Sequence, residues 1–327
     1  MRHLAKPTLL GIALGSVYAV LLVAATCRLP VQFPETAGPS GVTIGPRNSL
    51  IVASDQGSIL FVDMDDYAVR EDTALNDKYR DAYGWFDLEG ITMNNPETSS
   101  YLYLGMENKP AILEYDWKSS HEIVRRFDLP GLGTEGVQSL AWVPTQASSH
   151  MGYFYAGSRA QGSILVYELP LLENTGPEAQ AVLRNTWTPL KDTSTKNVAG
   201  LAYSDGYIFV SYDDASSNHV LIYPIMANGL YGDLAEQYQV DVVDAQGMAV
   251  QKRANQTWEV YFASDSERSL LAYTFRFVTG FELHGHCTSF GQAGNLPHSA
   301  SSTAACLSYV TGSVTLLALS ILSRSAK

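Results

Sequence analysis

The chain has 327 residues, of which 46% are hydrophobic and 17% charged; that is apolar surface enough for a sizeable core and too little charge for a disordered chain. A formal net charge of −12 excludes a nucleic-acid partner, because gripping a phosphate backbone requires a basic face. Three cysteines are too few for a disulfide framework to replace a core.

From the start of the chain, Arg2, His3 and Lys6 precede an uncharged run from Leu9 to Thr26 that contains the small residues Val23-Ala24-Ala25. This order describes a secretory signal peptide over residues 1–26 cut after Ala25, and the run is also just long enough to remain as an N-terminal anchor. Cleavage there would remove two bases and no acid, leaving a charge of −14. Residues 27–40 read as a linker carrying one short strand, Val31-Gln-Phe.

A repeat then begins. The runs Leu50-Ile-Val-Ala, Tyr101-Leu-Tyr-Leu-Gly, Phe154-Tyr-Ala-Gly, Ile208-Phe-Val-Ser and Val260-Tyr-Phe-Ala place Ile51, Tyr103, Tyr155, Phe209 and Tyr261 at intervals of 52, 52, 54 and 52 residues. A second apolar run follows each after a polar turn, and a third precedes each: Gly41-Val-Thr, Gly90-Ile-Thr, Ser139-Leu-Ala, Gly200-Leu-Ala and Gly247-Met-Ala. Weaker fourth runs stand at Ile123–Phe127, Tyr238-Gln-Val and Phe281-Glu-Leu. Four short strands per unit at a period near fifty predict an all-β chain, a β-propeller of four-stranded blades over 41–285. No amphipathic helix of useful length separates the strands, which rules out a parallel α/β sheet. Val31-Gln-Phe fits the fourth-strand position and closes the ring of a five-bladed propeller; Phe281-Glu-Leu competes for that slot and leaves six blades open.

After a linker at 286–304, a second apolar run from Ala305 to Leu322 follows the small residues of His298–Ala305. It reads as a C-terminal membrane anchor or a GPI signal over 305–327, and Arg324 and Lys327 suit a stop-transfer flank. The chain is therefore expected in the secretory pathway, held on a membrane with the propeller on the extracytoplasmic side. There Cys27 and Cys287 would be free to pair, or to remain two thiols with Cys306, and Asn255 opens a glycosylation sequon.

Chemistry is expected at one mouth of the channel. Ser40, Glu89, Gln138, Ala199 and Gln246 stand just before each first strand, with Glu135 just upstream of Gln138. The turn after each second strand carries Asp55, Glu107, Ser158 with Arg159, Asp213 with Asp214, and Asp265. Converging carboxylates are the ligands a hard cation takes, so Glu89, Glu107, Asp55, Asp213 and Asp265 form a candidate Ca2+ site. Turn acids also serve hairpins by bonding nearby amides, and Glu89 alone precedes an inner strand. No nucleophile motif, H-E-x-x-H or phosphate loop occurs, and Trp85, Trp117, Trp142, Trp187 and Trp258 are expected to pack between blades.

The stretch Asp87–Asp116 resembles the SdiA-regulated, NHL-like β-propeller family, kin to the phytase-like and SMP-30/gluconolactonase-like propellers. The match lies in the Asp-Leu-Glu-Gly-Ile-Thr start, the Asn-Pro-Glu-Thr turn, the Leu-Tyr strand ending in an acid and Ile-Leu-Glu-Tyr-Asp. The resemblance implies an extracytoplasmic propeller, often holding calcium, with Glu89 as a ligand and Asn197 and Asp213 as the nearest matches to further ones. Two functions follow. In one, the acidic mouth binds a cation, a small-molecule or glycan ligand, or a protein partner. In the other, the protein is a calcium-dependent hydrolase of phosphoesters or lactones.

Overall fold

The structure, a computed structural model, describes residues 27–284 apart from 36, 146–147, 159–161, 172–175, 190–196, 214–217, 241, 243, 254–256 and 278–280. Both terminal apolar runs, Arg159, Asp214, Asn255, Cys287 and Cys306 lie outside the described residues. No helix among the described residues is long and apolar enough to cross a membrane.

The chain folds as a five-bladed β-propeller. A short strand, β1 (Cys27–Arg28), precedes the first blade, which is β2 (Pro39–Gly45), β3 (Ser49–Ser54), β4 (Ser58–Asp63) and β5 (Val69–Ala74). One helix, α1 (Leu75–Tyr83), leads to blade 2: β6 (Leu88–Thr92), β7 (Tyr101–Met106), β8 (Ala111–Asp116) and β9 (Glu122–Asp128). Blade 3 follows as β10 (Ser139–Thr145), β11 (Ser148–Gly157) and β12 (Ile164–Glu168), then β13 (Glu178–Gln180) and β14 (Val182–Trp187). Here β14 is the fourth strand, while β13 crosses back to lie parallel to β9 as a fifth strand of blade 2. Blade 4 is β15 (Asn197–Ser204), β16 (Tyr207–Asp213), β17 (Asn218–Pro224) and β18 (Glu236–Val240). Blade 5 is β19 (Ala245–Arg253), β20 (Thr257–Ser264) and β21 (Ser269–Phe277), completed by β22 (Phe281–His284).

The two contenders for the closing strand share the position. β1 pairs with β21 at Ala272 and Leu271, and β22 pairs with the same strand from Thr274 to Phe277. The N-terminal pairing segment is thus Cys27–Arg28, not Val31-Gln-Phe; Val31 instead buries its side chain with Leu29 and Ala37 between blades 5 and 1. A two-residue pair has no periodicity to betray it, whereas the apolar Val31 does.

Five separate apolar clusters fill the gaps between successive blades, one per gap, so each sheet buries both faces and the ring is closed by packing as well as by pairing. Trp142, Trp187 and Trp258 are buried in these gaps and Trp117 packs against one. Trp85 departs from expectation: it is 44% exposed, with the Arg80 guanidinium over its ring. It follows Gly84 in the link between α1 and β6, outside any blade face.

The inner strands explain the recurring glycine. A Cβ on Gly41 would lie 2.7 Å from the Glu89 carbonyl oxygen, and one on Gly247 would lie 2.2 Å from that of Ser40. Each meets backbone of the next inner strand, which cannot move aside, so the narrow ring requires glycine there. Blade 3 has Ser139 at this place, and its hydroxyl donates to the Val198 carbonyl across the gap at 2.9 Å.

Candidate functional site

The same register brings the acids to one mouth. In blades 1, 2, 4 and 5 the pairing of first and second strands slips by one residue at the start of the inner strand, where Ser40, Glu89, Ala199 and Gln246 are the extra residues. Such a bulge re-aims side chains at a sheet rim. Two residues earlier stand Gly38, Asp87, Asn197 and Asp244, facing the turn residues Asp55, Glu107, Asp213 and Asp265. In blade 3 Ser139 faces Gly157 in plain register, without that bulge.

Blade 2 is the blade in which all three places are acidic. Asp87, Glu89 and Glu107 each bring a carboxylate oxygen within 4.8 Å of the others. Glu89 is buried, and the other two are half-buried. The backbone fixes the arrangement, since the Glu107 N–H donates to the Asp87 carbonyl at 2.9 Å. From blade 3, the Gln138 amide donates to Glu107 Oε1 at 2.7 Å and orients that carboxylate. At an effective dielectric near 20, two unit charges at such a separation repel by about 3–4 kcal/mol, less where water reaches them. Oxygen donors only, at a loop-built rim, fit a hard divalent cation and no soft one.

The remaining expected ligands assemble elsewhere on the mouth. Asp55 and Asp265 approach each other across Gly38, where a Cβ would lie 2.4 and 2.6 Å from one oxygen of each. Burial, then the charges of Asp55 and Asp244, push the Asp265 carboxyl above its ordinary value. Asp244 is held by the Gln246 amide at 2.8 Å and accepts from the Ser266 N–H at 3.2 Å. Asp213 lies across from Asn197 in blade 4. Glu135 is exposed and Ser158 buried. The structure therefore brings Glu89 and Glu107 together and leaves Asp55, Asp213 and Asp265 outside their group. Asp87 is the member that sequence reasoning passed over. Its signal was present: Asp87 and Glu89 are two apart at a strand start, the spacing that puts side chains on one face.

At the opposite mouth a cavity of about 320 Å³ opens among the ends of the inner strands. Val42, Ile91, Leu140, Leu201 and Met248, one from each blade, line it and are buried. Asp205 and Lys252 form an ion pair among its lining residues. It is chemically unlike the acidic end.

A further buried acid lies away from the channel. Glu114 accepts two hydrogen bonds from Arg125, at 2.5 Å from Nε and 3.0 Å from Nη2, and one from the Tyr103 hydroxyl at 3.2 Å. Arg125 also donates to the carbonyls of Pro170 and Leu171. The bonds to Glu114 raise the Arg125 guanidinium above its ordinary value, and burial followed by Glu114 does the same to the Tyr103 phenol.

No family model and no curated protein matches the chain, so the family kinship expected from Asp87–Asp116 rests on those residues alone. Among solved structures it is similar to the glutaminyl cyclase of Myxococcus xanthus, at 12% identity over 80% of this chain and 97% of that one, with a TM-score of 0.49. It is also similar to the Cps50 (Swd1) β-propeller domain of Myceliophteria thermophila, at 9% identity over 76% and 68% of the two chains, with a TM-score of 0.44. An engineered GH43 glycoside hydrolase aligns at 11% identity over 81% of this chain and 55% of that one, with a TM-score of 0.48. At these identities the likeness concerns the fold.

Proposed function

We propose that the protein is a membrane-tethered, extracytoplasmic β-propeller whose acidic mouth binds a divalent cation, calcium foremost, at Asp87, Glu89 and Glu107, and through it a ligand or protein partner. One observation carries the reading: three carboxylates from a single blade converge within 4.8 Å, one of them buried. Three carboxylates so grouped are an all-oxygen donor set of the kind a hard cation takes. The loops of a rigid ring then present that cation at a concave rim, which suits recognition.

The test is thermal unfolding of the full chain with calcium, magnesium or manganese, against chelator. Calcium at a hundred times its dissociation constant should stabilise the fold by about 2.7 kcal/mol, and Glu89→Gln should remove the response. An unchanged melting temperature with all three ions would discard the site.

The half-buried positions of Asp87 and Glu107 favour a second reading, the hydrolase, since they leave one side of the site open to solvent. A bound ion would there polarise a phosphoester or lactone oxygen and acidify a water. Turnover of such substrates, lost in Glu89→Gln, would distinguish an enzyme from a binder.

A further inference from the structure

The cavity at the mouth opposite the acids is built from different chemistry. Neighbouring inner strands come close together at Gly41, Gly90, Gly200 and Gly247, and the apolar residues directly after these glycines line the cavity. The rings of Trp142 and Tyr203, with Pro96 and Pro144, belong to the same lining. Its volume of about 320 Å³ falls within the range of small-molecule sites. Among the described lining residues the charged ones are Asp205 and Lys252, and they pair with each other. A charged ligand would therefore leave water for a place with no spare counter-charge. Two polar atoms of the lining residues have no hydrogen-bond partner in the protein. They are Asn94 Oδ1 and the indole Nε1 of Trp142, a side chain 5% exposed, and both atoms are buried. Their polar neighbours are already committed. Thr92 Oγ1 accepts from the Trp142 backbone N–H at 3.1 Å, and the Tyr203 hydroxyl accepts from the Gly206 N–H at 3.2 Å. Buried polar atoms without partners are costly and uncommon in native folds.

We propose that this cavity binds an uncharged, mainly apolar ring compound bearing a carboxamide, whose carbonyl meets the Trp142 indole N–H and whose N–H meets Asn94 Oδ1. The apolar lining supplies most of the affinity by taking the ring out of water. Aromatic and proline walls suit a flat ring better than a long chain. The two polar atoms supply the choice among rings, because a site with buried hydrogen-bonding groups discriminates against the analogue that lacks their partners. None of the acids of the other mouth takes part, so the site stands whether or not a cation binds there.

The probe is 2-naphthamide, set against naphthalene, which lacks the amide, and 2-naphthoate, which replaces it with a charge. Calorimetric titration of the full chain should show one site per chain that takes the amide about tenfold more tightly than the hydrocarbon. The carboxylate should bind more weakly than the amide by at least as much. Asn94→Ala should bring the amide within about threefold of naphthalene and leave the hydrocarbon's own affinity within about twofold of the parent value. Calcium and chelator should give the same constants, which separates this site from the acidic mouth. No binding of the amide, equal binding of amide and hydrocarbon, or tighter binding of the carboxylate overturns the inference. So does an amide preference that survives intact in Asn94→Ala. The three-ligand series on the parent protein decides the matter without requiring any variant to fold.

Discussion

Blade 2 buries two glutamates, and they keep different company. Glu114, 2% exposed, is gripped by the Arg125 fork and the Tyr103 hydroxyl in a pocket between blades 2 and 3. Glu89, 8% exposed, is grouped at the channel mouth with two further carboxylates, Asp87 and Glu107. A fold that needs a buried acid for its own stability brings the compensating cation with it, as at Glu114. An acid grouped with two further carboxylates meets like charge as well, and such clusters are where binding chemistry concentrates. On the proposed function, the contrast sets a structural acid beside a cation-binding one within a single sheet.

The strongest way to break it is to remove the cation from the compensated site. Arg125→Ala leaves the Glu114 carboxylate buried and opposed only by a phenol, and should cost about 3–5 kcal/mol, lowering the melting temperature by about 10 °C. Replacing both members together, Glu114→Leu with Arg125→Met, should recover most of that loss, because the damage comes from the stranded charge. If Arg125→Ala costs under about 1 kcal/mol, Glu114 is not charge-compensated in the sense argued and the contrast collapses.

At the mouth the sign reverses. Glu89→Gln removes one of three like charges at nearly unchanged shape. In chelator it should leave the fold as stable as before or more stable, by up to about 1 kcal/mol, while the same change at Glu114 destabilises by about 2 kcal/mol. Denaturant titration of the two variants side by side reads this directly. Equal losses from both would mean that Glu89 is also a structural acid.

The architecture was open to sequence reading because the blade interiors repeat. The branched and aromatic runs through Ile51, Tyr103, Tyr155, Phe209 and Tyr261 are buried on both faces, so they read as uninterrupted apolar stretches at fixed spacing. The glycine in four of the five inner strands was legible too, though its reason, the backbone of the next blade, appears only in three dimensions. The outer strands were harder. β5 (VREDTA) and β14 (VLRNTW) carry polar or exposed side chains along most of their length and show no apolar alternation. Helix α1 is nine residues long with Leu75 buried and Tyr79 half-buried, and it is held less by its own pattern than by Asn76. That side chain donates to the carbonyls of Gln56 and Phe86 and accepts from the Phe86 N–H at 2.6 Å, a set of contacts that no local pattern announces. In the candidate site, Glu89 and Glu107 stood out individually, but which acids meet depends on the one-residue slip between β6 and β7.

Asp265 offers the finest discrimination, because it is an acid among acids that nevertheless lies outside the blade 2 group. Its carboxyl is raised by burial and by Asp55 and Asp244, against a smaller opposing pull from Arg268. A raised value in the folded state means that the fold holds this proton more tightly than the unfolded chain does. The associated stability is fully present below the ordinary aspartate value and disappears as pH rises through the raised one, so at neutral pH the ionised group is a small burden. Asp265→Asn should therefore raise the melting temperature at pH 7 by roughly 1–2 °C, an effect kept small by solvent at the rim, and the gain should vanish in acid. Calcium should stabilise this variant as fully as the parent protein, because its carboxylate is not among the three that converge. Loss of the calcium response in Asp265→Asn, with Glu89→Gln still responding, would move the cation from blade 2 to the acids gathered around Gly38.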